Sequence, residues 1–187
     1  MKKSLGPKPI AYPAPVFVIG TYDFEDKPNI MTVAWAGICC SRPPCMAVSI
    51  REATYSYGNI NRTKAFTVNI PSSSQVKEAD YAGTVSGKNI DKFEAAGLTP
   101  VRSEIVNAPY VGEFPLVLEC ECTHSLIVGL HTLFVGEIKD VKADESILDQ
   151  GKIDLAKLSP LVFAPELRQY FEVGRFVGKA FSIGKSL

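Results

Sequence analysis

The stretch Leu116-Val117-Leu118-Glu119-Cys120-Glu121-Cys122-Thr123-His124-Ser125-Leu126 reads as one long β-strand. Leu118, Cys120 and Cys122 fall on one face and Glu119, Glu121 and Thr123 on the other. That two-residue period belongs to a strand with one face in a core. A turn at Gly129 follows, and residues 132–141 form the next strand. Outward from this pair, proline and glycine punctuate a largely β pattern. Residues 16–22 read as a strand, Lys27-Pro28-Asn29 turns the chain, and residues 30–37 read as a second strand. Arg42-Pro43-Pro44 is a stiff break, because proline fixes its own φ and restricts the residue before it. Residues 46–51 and 66–70 are further strands, the latter ended by Pro71, and residues 181–183 read as a short closing strand.

Helical signals are fewer. Residues 56–61 suit a short turn of helix, and residues 74–82 follow a serine run fit for capping. Residues 89–96 have Asn89 as the expected cap and Gly97 as the stop. Leu155 and Leu158 mark one more short helix. Strands interrupted by helices in this order do not make a βαβ repeat. They predict a mainly β fold, an antiparallel barrel with inserted helices. No linker, repeat or low-complexity stretch divides the chain, so residues 1–187 read as one domain.

Composition narrows the function classes. Twenty Lys and Arg balance twenty Asp and Glu, so no basic field exists to attract nucleic acid or an anionic membrane. Pro7, Pro9, Pro13 and Pro15 break the start of the chain, which leaves no signal-peptide core, and no later apolar run reaches spanning length. The expectation is a cytoplasmic protein. The five cysteines are Cys39, Cys40, Cys45, Cys120 and Cys122. An odd number with no export signal argues against a disulfide framework. No C-x-x-C occurs and the only histidines are His124 and His131, so no metal site is expected. The cysteines read as small buried hydrophobes in strands.

Common catalytic signatures are missing. No G-x-G-x-x-G follows a strand, no G-x-S-x-G elbow occurs, and Gly178 with Gly184-Lys185-Ser186 is spaced wrongly for a phosphate-binding loop. Three other segments carry chemistry. In Asn29-Ile30-Met31-Thr32-Val33-Ala34-Trp35-Ala36-Gly37, small residues beside the only Trp leave room for a flat ring, or for a neighbouring side chain of a barrel. In Ser49-Ile50-Arg51-Glu52-Ala53-Thr54-Tyr55-Ser56, a guanidinium and hydroxyls precede a helix start. That suits a phosphate, and equally an ordinary cap with a solvated arginine. Ser86-Gly87-Lys88-Asn89-Ile90-Asp91-Lys92-Phe93 brings two lysines and an aromatic to a capped helix, whose plain reading is a surface helix start.

Together these segments resemble the flavoredoxin branch of the flavin-reductase-like family, which has the FMN-binding split-barrel fold. The resemblance runs from about residue 15 to residue 183. Its stations include Asn29 to Trp35, Cys40-Ser41-Arg42-Pro43-Pro44, Ser49-Ile50-Arg51 and Thr84-Val85-Ser86-Gly87-Lys88. Later stations are Asp91-Lys92-Phe93, Leu133-Phe134-Val135-Gly136-Glu137 and Leu158-Ser159-Pro160-Leu161. It implies a single FMN-binding split-barrel domain and a homodimer with FMN in a groove. By matching position, Asn29, Thr32, Ala34 and Trp35 would line the isoalloxazine ring. Arg51, Thr54 and Tyr55 would hold the phosphate, with Lys92 near the phosphate or ribityl chain. It also implies a flavin oxidoreductase fed by NAD(P)H, or alternatively a non-enzymatic FMN electron carrier served by a redox protein partner. His131 matches a family histidine that often follows an acidic residue, but Leu130 precedes it here. A nicotinamide-site role and a plain strand-start histidine both remain open for it.

Overall fold

The structure, a computed structural model, describes residues 1–186. Seven strands rich in β-branched and aromatic residues form the main sheet. They are β1 (Phe17–Tyr22), β2 (Pro28–Val33), β3 (Ala36–Ser41), β4 (Pro44–Arg51), β5 (Ala65–Ile70), β6 (Leu116–Val128) and β7 (His131–Ala143). Their order is β2-β1-β5-β6-β7-β4-β3, and every neighbouring pair is antiparallel. The two outermost strands, β2 and β3, are consecutive in the chain and separated only by Ala34 and Trp35. The sheet must therefore curl until its edges meet. One step beyond the Ala36–Val48 pair, the Ser49 amide donates to the Trp35 carbonyl at 2.8 Å, so the chain joins the ladder with β4 as soon as it leaves β2. The result is a split barrel with inserted helices.

Two cores follow from this curl. Inside lie Ile19, Val48, Phe66, Val68, Cys120 and Phe134, with Tyr57 meeting the Phe134 ring edge-on at 5.6 Å. Outside, Val16, Val18 and Ile30 pack against α2 (Val76–Thr84) and α3 (Lys92–Ala96) through Ala79, Ala82 and Phe93. Both faces of β1 are thus covered, which is why Val18 to Tyr22 are all buried instead of alternating.

The helices keep their expected places with shifted ends. A first helix, α1 (Tyr55–Thr63), follows β4 and stops at Lys64 in a left-handed conformation. A single 3-10 turn, Ser73–Gln75, precedes α2, and the Gln75 side chain accepts from the Ser72 amide at 2.9 Å. The helix predicted over 89–96 begins later. Asp91, not Asn89, is its cap and accepts from the Phe93 and Glu94 amides, whereas Gly97 ends it as expected with φ 65. The last helix, α4 (Leu155–Leu158), is capped by Asp154.

Three further expectations are corrected. The strand predicted over 30–37 is two strands, because the chain crosses the seam at Ala34-Trp35. Residues 181–183 form no strand; Phe181 is left-handed with φ 58 and Ile183–Ser186 is a 3-10 turn. Of the cysteines, Cys45 and Cys120 are buried and Cys122 is half-buried, but Cys39 and Cys40 are exposed because β3 is an edge strand. Alternation along β6 also hides one detail. Glu119 is fully buried, because residues 103–111 lie over that face; Thr67, opposite Glu119 in register, donates to the Pro109 carbonyl at 2.6 Å. Lys142 Nζ meets Glu119 Oε2 at 2.9 Å, and hydrogen bonds to Asp140 and Glu119 push its ammonium above the ordinary lysine range.

Candidate functional site

The period of β2 sorts its side chains. Asn29 and Met31 border a cavity of about 250 Å³ that is completed by Ala53 to Ser56, by Gly83 to Gly87 and by Lys92. Thr32 and Ala34, on the alternate phase of the strand, border a second cavity of about 190 Å³ with Phe163 and Tyr170. Gly83 and Thr84, at the end of α2, belong to both. Four elements therefore converge: β2, the β4–α1 connection, the α2–α3 connection and the first residue of α3.

Polar groups fix the shape of the larger cavity. Asn29 Nδ2 donates to Ser56 Oγ at 2.9 Å and to Thr21 Oγ1 at 3.4 Å, which ties β2 to the first turn of α1. Asn29 Oδ1 is buried and has no donor. Asp23, in the β1–β2 turn, accepts from the Glu25 and Lys27 amides at 2.9 Å and from the Tyr55 hydroxyl at 2.7 Å. Burial alone would raise the Asp23 carboxyl, but the Tyr55 hydroxyl and the two amides outweigh it and hold the group below its ordinary value. Burial and the bond to Asp23 push the Tyr55 hydroxyl up to about 12. Tyr55 therefore donates to Asp23 and offers the cavity its ring and its backbone.

Two features make this cavity attractive to an anion. Lys92 is 4% exposed, and its ammonium donates at 2.7 Å to a neutral group, the Ala82 carbonyl. Burial pulls its pKa down to about 8, since desolvation penalises the charged form. Thr54, the residue before α1, does not cap the helix: its hydroxyl and its amide both donate to the Arg51 carbonyl, at 2.8 and 3.0 Å. No acidic side chain stands in the first turn of α1. The start of that helix thus has no side-chain cap, and helix starts with free amides bind phosphates elsewhere.

A family model for the flavin reductase like domain matches residues 10–173. The chain belongs to the flavin reductase-like family. Flavoredoxin of Desulfovibrio vulgaris (Miyazaki F) shares 56% sequence identity with this flavin reductase-like chain, with a TM-score of 0.95 over 98% of this chain and 100% of that one. Flavoredoxin from Methanosarcina acetivorans is 32% identical, with a TM-score of 0.92 over 100% of this chain and 99% of that one. A protein of Archaeoglobus fulgidus is 35% identical over 130 residues, which is 70% of this chain and 73% of the relative. Among the described residues no helix is long and apolar enough to cross a membrane.

The structure distributes the residues singled out in the sequence over adjoining places. Asn29, Thr54, Tyr55 and Lys92 share the larger cavity. Thr32 and Ala34 border the smaller one, and the Thr32 hydroxyl is engaged by the Ala79 carbonyl of α2. Trp35 lies at the seam, partly exposed. The Arg51 side chain is exposed and borders a third hollow with Glu52, Ala53, Gly129 and Leu130. Ala53 belongs to that hollow and to the larger cavity, so the two adjoin. Sequence reading did not single out Ser56, Gly83 or Gly87. Gly87 lay inside a quoted segment, but its importance rests on how its loop folds over Asn29, and no local pattern announces that.

Proposed function

We propose that this flavin reductase-like protein binds FMN across these adjoining cavities and acts as a flavin oxidoreductase. Electrons would come from NAD(P)H, or from a redox protein partner if it serves as a carrier, and pass to an acceptor. The observation that carries the reading is Lys92, a buried ammonium hydrogen-bonded to a neutral carbonyl at the wall of a cavity beside an uncapped helix start. A phosphate would satisfy both at once. Asn29 stands in the wall of the same cavity, with its side chain fixed by Ser56 and Thr21. Within this reading Thr54, Tyr55 and Lys92 surround the phosphate and ribityl end, with Arg51 reaching it from the adjoining hollow. Asn29, Thr32, Ala34 and Trp35 flank the ring where the strand passes the seam. The solved flavoredoxins at 56% and 32% identity support the assignment, and FMN, when bound, supplies one- and two-electron redox chemistry.

The test is comparative titration followed by anaerobic mixing. FMN should bind at least about tenfold tighter than riboflavin, because charge-assisted hydrogen bonds contribute about 1.5–3 kcal/mol each. Equal affinities would remove the phosphate site. Bleaching of bound flavin by NADH or NADPH supports the oxidoreductase. Tightly held FMN that neither nucleotide bleaches would make the protein a carrier.

A further inference from the structure

On the edge of the sheet, away from the cavities, three cysteines come together where β3 turns into β4. The two strands pair with a bulge between Ile38 and Cys40, so that Cys40 stands directly opposite Cys45 and Cys39 is the extra residue. Directly opposed residues of an antiparallel pair have Cα atoms about 4.5–5.5 Å apart, inside the range of about 4.4–6.8 Å that a disulfide spans. The connection is Ser41-Arg42-Pro43-Pro44, whose prolines stiffen it. Cys40 and Cys39 are exposed, whereas Cys45 is buried and its thiol donates to the Pro43 carbonyl at 3.4 Å. Burial pushes the Cys45 thiol up, and the neighbouring Cys40 and Cys39 thiols push it the same way. Cys39 Sγ turns instead to the Cys45 carbonyl at 3.6 Å.

We propose that Cys40 and Cys45 are a redox modification site that closes to a reversible cross-strand disulfide under a hydroperoxide. The exposed Cys40 thiolate attacks a peroxide oxygen, breaks the O–O bond and becomes a sulfenic acid, releasing water from hydrogen peroxide. The Cys45 sulfur then attacks the sulfenic sulfur; the S–S bond forms and a second water leaves. Two thiols lose two electrons and two protons, and one hydrogen peroxide is reduced to two waters. The backbone already holds the pair in register, so oxidation requires no strand movement. The product ties the free edge strand β3 to β4. The centre stores two electrons independently of any flavin.

The experiment uses the full chain, reduced and then treated with one equivalent of hydrogen peroxide, with thiol counting and mass spectrometry. The expected result is a loss of two of the five thiols, a mass lower by two hydrogens, and full reversal by dithiothreitol. Cys39→Ser should still close the bond. Cys40→Ser, at an exposed position that leaves folding intact, should not, and Cys45→Ser should not either. Gain of oxygen mass without loss of hydrogen in the wild type would overturn the proposal. So would a disulfide that survives in Cys40→Ser and disappears in Cys39→Ser.

Discussion

Gly87 lies against the side chain of Asn29 so closely that a Cβ at position 87 would overlap Oδ1 and come within 2.8 Å of Cγ. The same Cβ would press on Tyr55 Cδ1 at 3.1 Å. Asn29 cannot yield easily, since its Nδ2 is held by Ser56 and Thr21. The α2–α3 connection would have to lift from the cavity. Gly87→Ala is therefore expected to weaken FMN binding by about tenfold or more, which is about 1.4 kcal/mol. Gly58→Ala is the matched control: Gly58 is inside α1 with nothing within 4 Å of the new methyl, so it should stabilise the fold by about 0.5–1 kcal/mol. Flavin fluorescence quenching reads the first effect and thermal unfolding the second. Unchanged FMN affinity in Gly87→Ala would mean that this loop does not shape the site.

Lys92 gives the protein a definite response to pH. Its folded pKa of about 8 lies below that of a free lysine, so the unfolded chain binds more protons between pH 8 and about 10.4. The stability of the flavin-free protein should rise with pH across that window, as the cost of burying the charge is relieved. FMN affinity should move the other way. The phosphate needs the ammonium, so binding should fall about tenfold per pH unit above pH 8. Lys92→Met should flatten both profiles and bind FMN weakly at pH 7. A sloping FMN profile that survives in Lys92→Met would assign the pH dependence to another group.

Much of the fold is legible because barrel strands carry their own period and their own punctuation. Residues 118–123 alternate between Leu or Cys and polar side chains, and Gly129 turns the chain into the next strand with φ 54. The break at Ala34-Trp35 is not legible. Its cause is a change of partner: β2 pairs with β1 and β3 with β4, at opposite ends of the sheet order, and no local window contains that. Glu119 shows the same limit: a glutamate in phase with exposed positions is buried because residues 103–111 cover it. At the site, Lys92 and Asn29 were visible as residue types within a known pattern. Their electrostatic condition, an ammonium on a neutral carbonyl and an acceptor without a donor, exists only once the elements converge.

The tip of the β6–β7 hairpin argues for the homodimer. Ile127 is 77% exposed and Leu130 67%, with Leu126 and Val128 beside them, an apolar cluster at a turn where polar residues are usual. Arg51 borders the hollow next to this tip, so a second copy docked there would sit beside the proposed cofactor site. Sedimentation should give a species near twice 20.3 kDa at micromolar concentration. Ile127→Lys combined with Leu130→Lys should shift it to the monomer and weaken FMN binding. A wild-type protein that sediments as a monomer would refute the dimer outright.

Asn69 is the polar joint that fixes the barrel to its outer covering, and it should matter for stability alone. It is fully buried on β5, opposite Val18 of β1. Its Nδ2 donates to the Val18 carbonyl at 2.8 Å and to Thr67 Oγ1 at 2.9 Å, and its Oδ1 accepts from the Val111 amide at 2.8 Å. Thr67 passes the chain on to the Pro109 carbonyl. Asn69→Ala leaves the Val111 amide buried without that acceptor and opens space in a packed layer. An unsatisfied buried donor costs about 1–3 kcal/mol, and with the lost donor bonds the total should be about 3 kcal/mol. For a chain of this size that lowers the unfolding midpoint by about 6–12 °C. Asn69→Asp keeps the acceptor for Val111 but turns both donor contacts into buried repulsions, so it should be no better than Asn69→Ala. FMN affinity at 15–20 °C should be unchanged in both, because Asn69 touches neither cavity. A drop in affinity that matches the drop in stability would show that the covering segment and the cofactor site act as one unit.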